Sequence, residues 1–356
     1  MDLAELDYHL PPELIAQEPL ADRAGARMLV VFRADANRPG RWEDRQFRDF
    51  PSFLGPGDCV VLNDSRVFPA RLYGHRQGTR SLPIGRHNPK RHEYLSGEVE
   101  VFLLRAVSPG GRDWEALVRP GRKMRVGERI HFDGGLEGEI VARGPFGERT
   151  IRFDGTGDLF EQFEKIGHIP LPPYIKRPDR PADRDRYQTV FAREKGSAAA
   201  PTAGLHFTAE VLDQSRARGA EIAWVTLHVG LGTFQPLRPE QIQLGRLHPE
   251  HYRITAENEA RLRAARRVVA VGTTSVRTIE SAWLTGARSG ETEIFIAPGF
   301  EFRRTGALLT NFHLPGTSLL LLVAAFAGKE LALAAYRHAV AERYRFYSYG
   351  DCMLIL

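Results

Sequence analysis

The chain has 356 residues, 42% hydrophobic and 26% charged. That is enough for roughly two domains and a substantial core without disulfide or metal staples. The net charge is +5 with a pI near 9.3, and lysine occurs at only six positions, so nearly all the positive charge is arginine. Arginine suits bidentate phosphate contacts, and a mild basic excess is compatible with a nucleic-acid partner; the arginine bias is also explained by genome composition alone. The longest apolar run, Leu319 to Ala327, is nine residues, against about 20 for a membrane helix. The acidic opening Met-Asp-Leu-Ala-Glu lacks the apolar core of a secretory leader. A cytoplasmic protein with no membrane partner is expected. Cys59 and Cys352 both sit in apolar surroundings and read as buried thiols. No Cys-x-x-Cys or His-x-x-x-His spacing is present, so no metal is expected.

In chain order, a Pro- and charge-rich segment to Arg27 leads into a strand at Met28 to Phe32. A second strand, Cys59-Val-Val-Leu-Asn, follows Gly57-Asp58. From Ala70 to Phe153 short runs at Arg71, Glu98, Trp114, Arg129, Glu139 and Arg149 alternate or run apolar, separated by Gly- and Pro-rich turns, as in a small barrel or sandwich. The basic stretch Gly74 to Gly97 reads as a hairpin tip or as a phosphate-touching arm. After residue 157 strands and helices alternate. A helix is expected from Thr208 to Gly219, a strand from Glu221 to Leu227, and a helix from Thr255 to Arg266 with Thr255 as its N-cap. A buried strand starts at Arg267, further strands at Thr292 to Ile296 and Ala307 to Thr310, and helices at Ser318 to Phe326 and Glu330 to Tyr344. The expected fold is α/β: a discontinuous α/β domain (1–68 and 157–356) carrying an inserted all-β barrel (69–156).

Polar groups gather in the loops after strands. Asn63-Asp64-Ser65-Arg66 puts a carboxylate and a guanidinium at the end of one strand, or forms an Asx turn with a surface ion pair. Small residues in Ala200-Pro-Thr-Ala-Gly-Leu-His-Phe let backbone approach a ligand at Thr202 and Gly204, with His206 able to move a proton; a tight turn with a core histidine is the alternative. Leu227-His-Val-Gly-Leu-Gly-Thr-Phe holds His228, Gly230, Thr233 and Phe234. Val271-Gly-Thr-Thr-Ser-Val-Arg runs a strand into the hydroxyl-rich start of a helix, suited to an anion. Asn311, Phe312 and His313 follow another strand. The aromatic residues Tyr344, Phe346, Tyr347 and Tyr349 read as core packing, with base stacking as the alternative. In an α/β layer such loops converge at one edge of the sheet, which favours a ligand with a flat base, a sugar and a carboxylate.

These motifs, with Asp7-Tyr-His-Leu-Pro-Pro-Glu-Leu-Ile, Leu62-Asn-Asp-Ser-Arg-Val, Gly167-His-Ile-Pro-Leu-Pro-Pro-Tyr-Ile, Arg186-Tyr-Gln-Thr-Val-Phe-Ala and Tyr344-Arg-Phe-Tyr-Ser-Tyr-Gly-Asp, run nearly end to end. Together they resemble the S-adenosylmethionine:tRNA ribosyltransferase-isomerase family of the queuosine pathway. The resemblance implies transfer and rearrangement of the ribosyl moiety of S-adenosylmethionine onto 7-aminomethyl-7-deazaguanine at the wobble position of a tRNA with a GUN anticodon. Adenine and methionine leave, and the product is epoxyqueuosine-tRNA. S-adenosylmethionine is then a consumed co-substrate, and no cofactor is expected. Such chemistry needs groups with tuned pKa, for which Asp64, Arg66, His206 and His228 are the catalytic candidates. Thr202, Gly204, Gly230, Thr233, Phe234, Thr273, Thr274, Ser275, Arg277, Asn311, Phe312 and His313 are the substrate-binding candidates: Arg277 with Thr273 to Ser275 for the methionine carboxylate, Phe234 or Phe312 for adenine. Lys176, Arg177, Arg186 and Tyr187 are candidates for the tRNA. The chain departs from the family pattern at Pro249, at Leu314-Pro-Gly-Thr-Ser-Leu, and in the length of the 74–97 loop. A non-catalytic tRNA-binding protein is the alternative; a phosphotransferase is disfavoured because the Gly272 loop lacks a P-loop lysine.

Overall fold

The computed structural model describes residues 6–35, 37–76, 97–108, 110–144, 147–155, 157–230 and 239–356. Most of the basic 74–97 stretch, together with Thr233 and Phe234, lies outside the described residues. The chain divides into two compact units: Met1–Arg66, Pro172–Glu194 and Ala199–Leu356 form one, and Val67–Leu171 with Lys195–Ala198 form the other.

The first unit is built on a nine-stranded sheet. Its strands are β1 (Arg27–Phe32), β2 (Arg41–Gln46), β3 (Asp58–Asn63), β4 (Glu221–Leu227), β5 (Arg246–Arg253), β6 (Arg267–Val271), β7 (Ser289–Ile294), β8 (Thr305–Asn311) and β9 (Cys352–Ile355). The order across the sheet is β7-β5-β4-β3-β6-β8-β9-β1-β2. The four central strands β4, β3, β6 and β8 are parallel, with Val60 opposite Ile222 on one side and Val269 on the other. Strand β9 runs antiparallel to β8 and parallel to β1.

Successive side chains of a strand point to opposite faces, and here both faces are covered. Cys59, Val61, Val268, Ala270 and Leu308 join one core. Val60, Leu62, Val269, Val271 and Leu309 join the other. Two-sided burial explains why these strands read as continuous apolar runs. Helices α1 (Ala209–Ala217), α2 (Ala256–Ala264), α3 (Thr273–Thr285), α4 (Ser318–Ala327) and α5 (Lys329–Ala341) supply the layers. Val276, Ile279 and Leu320 to Ala324 pack on the first core; Phe47, Phe50, Phe207, Val211 and Leu212 pack on the second. The Thr208 and Thr255 hydroxyls accept from Val211 N and Asn258 N, closing the N-termini of α1 and α2.

Departures from the expected elements have local causes. Strand β2 (Arg-Trp-Glu-Asp-Arg-Gln) has no fully buried residue, so it carries little apolar signal. Strand β5 is largely polar and pairs as an antiparallel ribbon toward the sheet edge. The last helix stops at Ala341 instead of reaching Tyr344, because Arg343 adopts a positive φ of 56°. Both cysteines are buried free thiols. Among the described residues no single helix is long and apolar enough to cross a membrane.

The second unit is a closed six-stranded antiparallel barrel: Arg71–Arg76, Glu98–Ala106, Asp113–Arg119, Arg129–Phe132, Glu137–Arg143 and Arg149–Phe153 in chain order. Closure removes the unpaired edges that would otherwise template aggregation. Helix Leu159–Ile166 adds Phe163, fully buried, whose ring sits 5.3 Å from those of Trp114 and Phe153. Replacing Phe163 with Ala is expected to lower stability by about 3–5 kcal/mol; a urea midpoint equal to that of the parent would contradict this packing.

Candidate active site

The central parallel strands deliver four loops to the same sheet edge, after Asn63, Leu227, Val271 and Asn311. Asn63 ties three of them together. Its Nδ2 donates to Leu227 O at 3.0 Å and Thr274 Oγ1 at 3.2 Å; its Oδ1 accepts from the backbone N–H of Ser65 and of Leu227, each at 3.1 Å.

Gly272 takes a φ of 85°, where a side chain would strain the backbone, and turns β6 sharply into α3. Thr273 and Thr274 thus open α3, whose N-terminal amides favour anions. Across from them runs the tight turn Thr202–His206. A Cβ on Gly204 would come within 2.9 Å of Phe191 and Thr189, so this glycine answers a packing need.

These segments line a partly open cavity with about 690 Å³ of empty space, some of it continuous with solvent, whose walls include Thr202, Thr273, Thr274, Asn311, His313, Tyr174 and Tyr347. The two rings lie 4.6 Å apart, and the Tyr174 hydroxyl meets Ser348 Oγ at 2.5 Å. Tyr347 holds a φ of 71°. Such a conformation costs on the order of 1–3 kcal/mol for a non-glycine residue and collects at functional sites. Three hydrogen bonds fix it: its N–H donates to Phe312 O, and its carbonyl accepts from Gly350 N and from Asn311 Nδ2.

Two histidines beside this cavity are committed to neighbours. His206 Nε2 meets Asn311 Oδ1 at 3.3 Å, and burial pulls the imidazole down to about 4. His313 Nε2 meets Thr310 Oγ1 at 2.7 Å, and burial takes it to about 3. Both are neutral near pH 7. This differs from the expectation that His206 titrates near neutrality: a fully enclosed ring cannot easily be charged. Phe312 lines the cavity as well, with its side chain fully buried and its ring packed against those of Tyr336, Tyr344 and Phe346; Tyr174 and Tyr347 are further aromatic residues of the lining.

Asp64 and His228 form a second cluster, one residue beyond the Asn63 clamp. Asp64 is 4% exposed and accepts from Thr226 Oγ1 at 2.7 Å and Arg193 Nη2 at 2.8 Å. His228 is half-buried, and its Nδ1 is enclosed with no hydrogen-bond partner among the described residues. Burial first, then the neighbouring His251, hold its pKa down, while Glu194 and Asp64 oppose them. Arg66, next to Asp64, is exposed. Sequence reasoning missed Arg193, whose partner Asp64 lies 129 residues earlier.

The expected quartet of Thr273, Thr274, Ser275 and Arg277 is divided. The Ser275 hydroxyl is buried and donates to Val271 O at 2.7 Å, inside its own helix turn. Arg277 is ion-paired with Glu250 and lines a neighbouring cavity. Glu250 also accepts from Gly230 N at 2.9 Å, which places Gly230 as part of a loop anchor.

Of the tRNA candidates, Lys176 is exposed. Arg177 is held by Asp183 at 2.7 and 2.9 Å and by Glu18 at 2.9 Å, and the hydrogen bonds to Asp183 raise its pKa. Arg186 donates to the carbonyls of Leu20 and Ala21. Tyr187 is 1% exposed, so it is a core residue that supports this segment and is not a surface contact. Among the described residues no group of three or more His, Cys, Asp or Glu side chains is placed to hold a metal ion.

A parallel sheet covered on both faces, with polar and aromatic side chains converging beyond its strand ends, defines an α/β protein built to bind a small molecule. Residues 3–355 match the family described as queuosine biosynthesis protein, and the chain belongs to that family. It is 72% identical over 356 residues to the S-adenosylmethionine:tRNA ribosyltransferase-isomerase of Solibacter usitatus, and 50% identical over 366 residues to that of Symbiobacterium thermophilum; both matches cover 100% of each chain. The crystal structure of S-adenosylmethionine tRNA ribosyltransferase from Thermotoga maritima aligns with 36% identity and a TM-score of 0.54, covering 99% of this chain and 100% of that one.

Two measurements test this description. Because the folded state holds His206 and His313 below their unfolded value of 6.5, the unfolded chain binds more protons as pH falls. Their contribution is fully present above pH 6.5 and is lost as pH falls toward about 4 for His206 and about 3 for His313. The melting temperature is expected to fall over that window, with a shallower slope in His206→Gln; equal slopes would contradict the burial. Asn63→Ala strands four buried groups, and is expected to cost at least about 1–3 kcal/mol in chemical denaturation.

Proposed function

We propose that this protein is an S-adenosylmethionine:tRNA ribosyltransferase-isomerase. It moves the ribosyl moiety of S-adenosylmethionine onto 7-aminomethyl-7-deazaguanine at the wobble position of a tRNA with a GUN anticodon, giving epoxyqueuosine-tRNA with release of adenine and methionine. The observation that carries this reading is the cavity at the parallel strand ends. It combines an aromatic wall (Tyr174, Tyr347), neutral hydrogen-bonding groups (Asn311, His313) and a helix N-terminus (Thr273, Thr274). A flat base and the oxygens of a ribose are the parts of the substrate that need these surfaces. No cofactor is involved, since S-adenosylmethionine is consumed.

The sulfonium acidifies the adjacent C5′ protons, so a neutral base of modest strength suffices to remove one. His228 fits this task best, because burial favours its neutral ring and its Nδ1 has no hydrogen-bond partner among the described residues. Asp64, fixed by Arg193 and Thr226, supplies negative charge beside it. His206 holds Asn311 in place. Thr202 hydrogen-bonds the substrate, while Gly204 and Gly230 shape the loops. Arg66 and Lys176, both exposed, are assigned to the tRNA backbone, with Arg177 and Arg186 rigidifying the segment that carries Lys176.

Incubation with S-adenosylmethionine and tRNA bearing the aminomethyl base is expected to release adenine stoichiometrically with modified tRNA. Binding of the tRNA without adenine release would instead establish a non-catalytic tRNA-binding protein. Within the active enzyme, His228→Gln is expected to lower kcat about 10²–10⁴-fold, while His206→Gln, which keeps an amide partner for Asn311, loses less than about ten-fold. Equal losses in the two variants would refute the division of roles.

A further inference from the structure

A second cavity, partly open to solvent, lies between α3, β5, β7 and the first turns of α4. It is lined by His248, Glu250, Arg277, Ile294, Leu319 and Leu322. Leu319 also lines the main cavity, so the two meet at the start of α4.

Arg277 is the unusual group here. Its side chain is 5% exposed, and Nη1 donates to Glu250. The remaining edge of the guanidinium, Nε and Nη2, is buried with no hydrogen-bond partner among the described residues. Buried donors are almost always satisfied, and one left unmatched calls for an explanation. Nε and Nη2 are also the pair of parallel donors that grips a carboxylate in bidentate fashion. The same cavity has an aliphatic part of its lining: Ile294, Leu319 and Leu322. A carboxylate with a short unbranched apolar body satisfies both surfaces, whereas an inorganic anion would leave the aliphatic wall unfilled.

We infer that this cavity is the seat of the methionyl group, with its carboxylate on the Nε–Nη2 edge of Arg277 and its thioether chain along Leu319 and Leu322. The assignment rests on the proposed function for the identity of the amino acid. It separates the anionic end of the substrate from the Thr273 and Thr274 surface, which is then left to the ribose and base. Glu250 is a positioning residue in this scheme: it orients Arg277 while holding Gly230.

Titration of the full-length protein with L-methionine in a calorimeter is expected to show saturable binding, at least ten-fold tighter than that of methioninol, which lacks the carboxylate. S-adenosylmethionine is expected to displace the bound methionine. Arg277→Lys keeps the charge opposite Glu250 but removes the bidentate edge, and is expected to weaken methionine binding at least ten-fold. Should that variant not fold, Ile294→Phe, which fills the cavity from its partly exposed wall, is expected to weaken it as much. Absent methionine binding, equal affinity for methioninol, simultaneous binding of both ligands, or unchanged affinity in the folded variant overturns the assignment. Adenine release without methionine binding overturns the site and leaves the activity standing; methionine binding without adenine release does the reverse.

Discussion

Asn63 commits all four hydrogen-bonding positions of its side chain, two donors and two acceptors, to three loops that are far apart in sequence. Leu227 is 164 residues away and Thr274 is 211. The amide lies at the end of a strand that is buried on both faces, so water cannot compete for these bonds. Everything on the active edge is set by reference to it. Asp64 follows it directly, His228 follows Leu227, and Thr274 opens the helix whose amides face the cavity. A neutral amide suits this place better than a charged group, because it satisfies donors and acceptors together with no desolvated charge.

The surrounding site obeys the same economy of charge. The two histidines near the cavity are neutral and held by neutral partners, while the ionised groups sit to one side in pairs, Asp64 with Arg193 and Glu250 with Arg277. Under the proposed function the substrate is a sulfonium and brings its own positive charge, which a pocket of neutral dipoles avoids repelling. The left-handed backbone at Tyr347 belongs to this design: glycine there would relax the chain but remove a ring from the wall.

Much of this was legible in the sequence because parallel strands bring their trailing loops to one edge. The loops after Cys59–Asn63, Glu221–Leu227, Arg267–Val271 and Ala307–Thr310 could be placed together from alternation of strands and helices alone, and the barrel from evenly spaced short strands and turns. What stayed hidden depends on long-range contacts and orientation. Tyr347 has the look of a core residue and, held at a positive φ, lines the cavity. Phe312 has the look of a stacking residue and lines it too, but with its ring packed against Tyr336, Tyr344 and Phe346. Arg277 lies one helical turn beyond Thr273, too far along α3 to share its cavity, and its ion pair with Glu250 comes from β5, a strand next to the sheet edge that is too polar to be recognised as one.

Strand β9 lies between β8 and β1, so the sheet is completed by its last strand in chain order. Arg27 N bonds to Asp351, 324 residues downstream. During synthesis, β1 and β2 emerge first and wait through nearly the whole chain before the strand that joins them to β8 exists. Until then the inner edge of β1 is an open template in the sense that invites wrong pairings. A nascent chain of this kind has a reason to be shielded by chaperones early, because its sheet cannot close before β9 has been made.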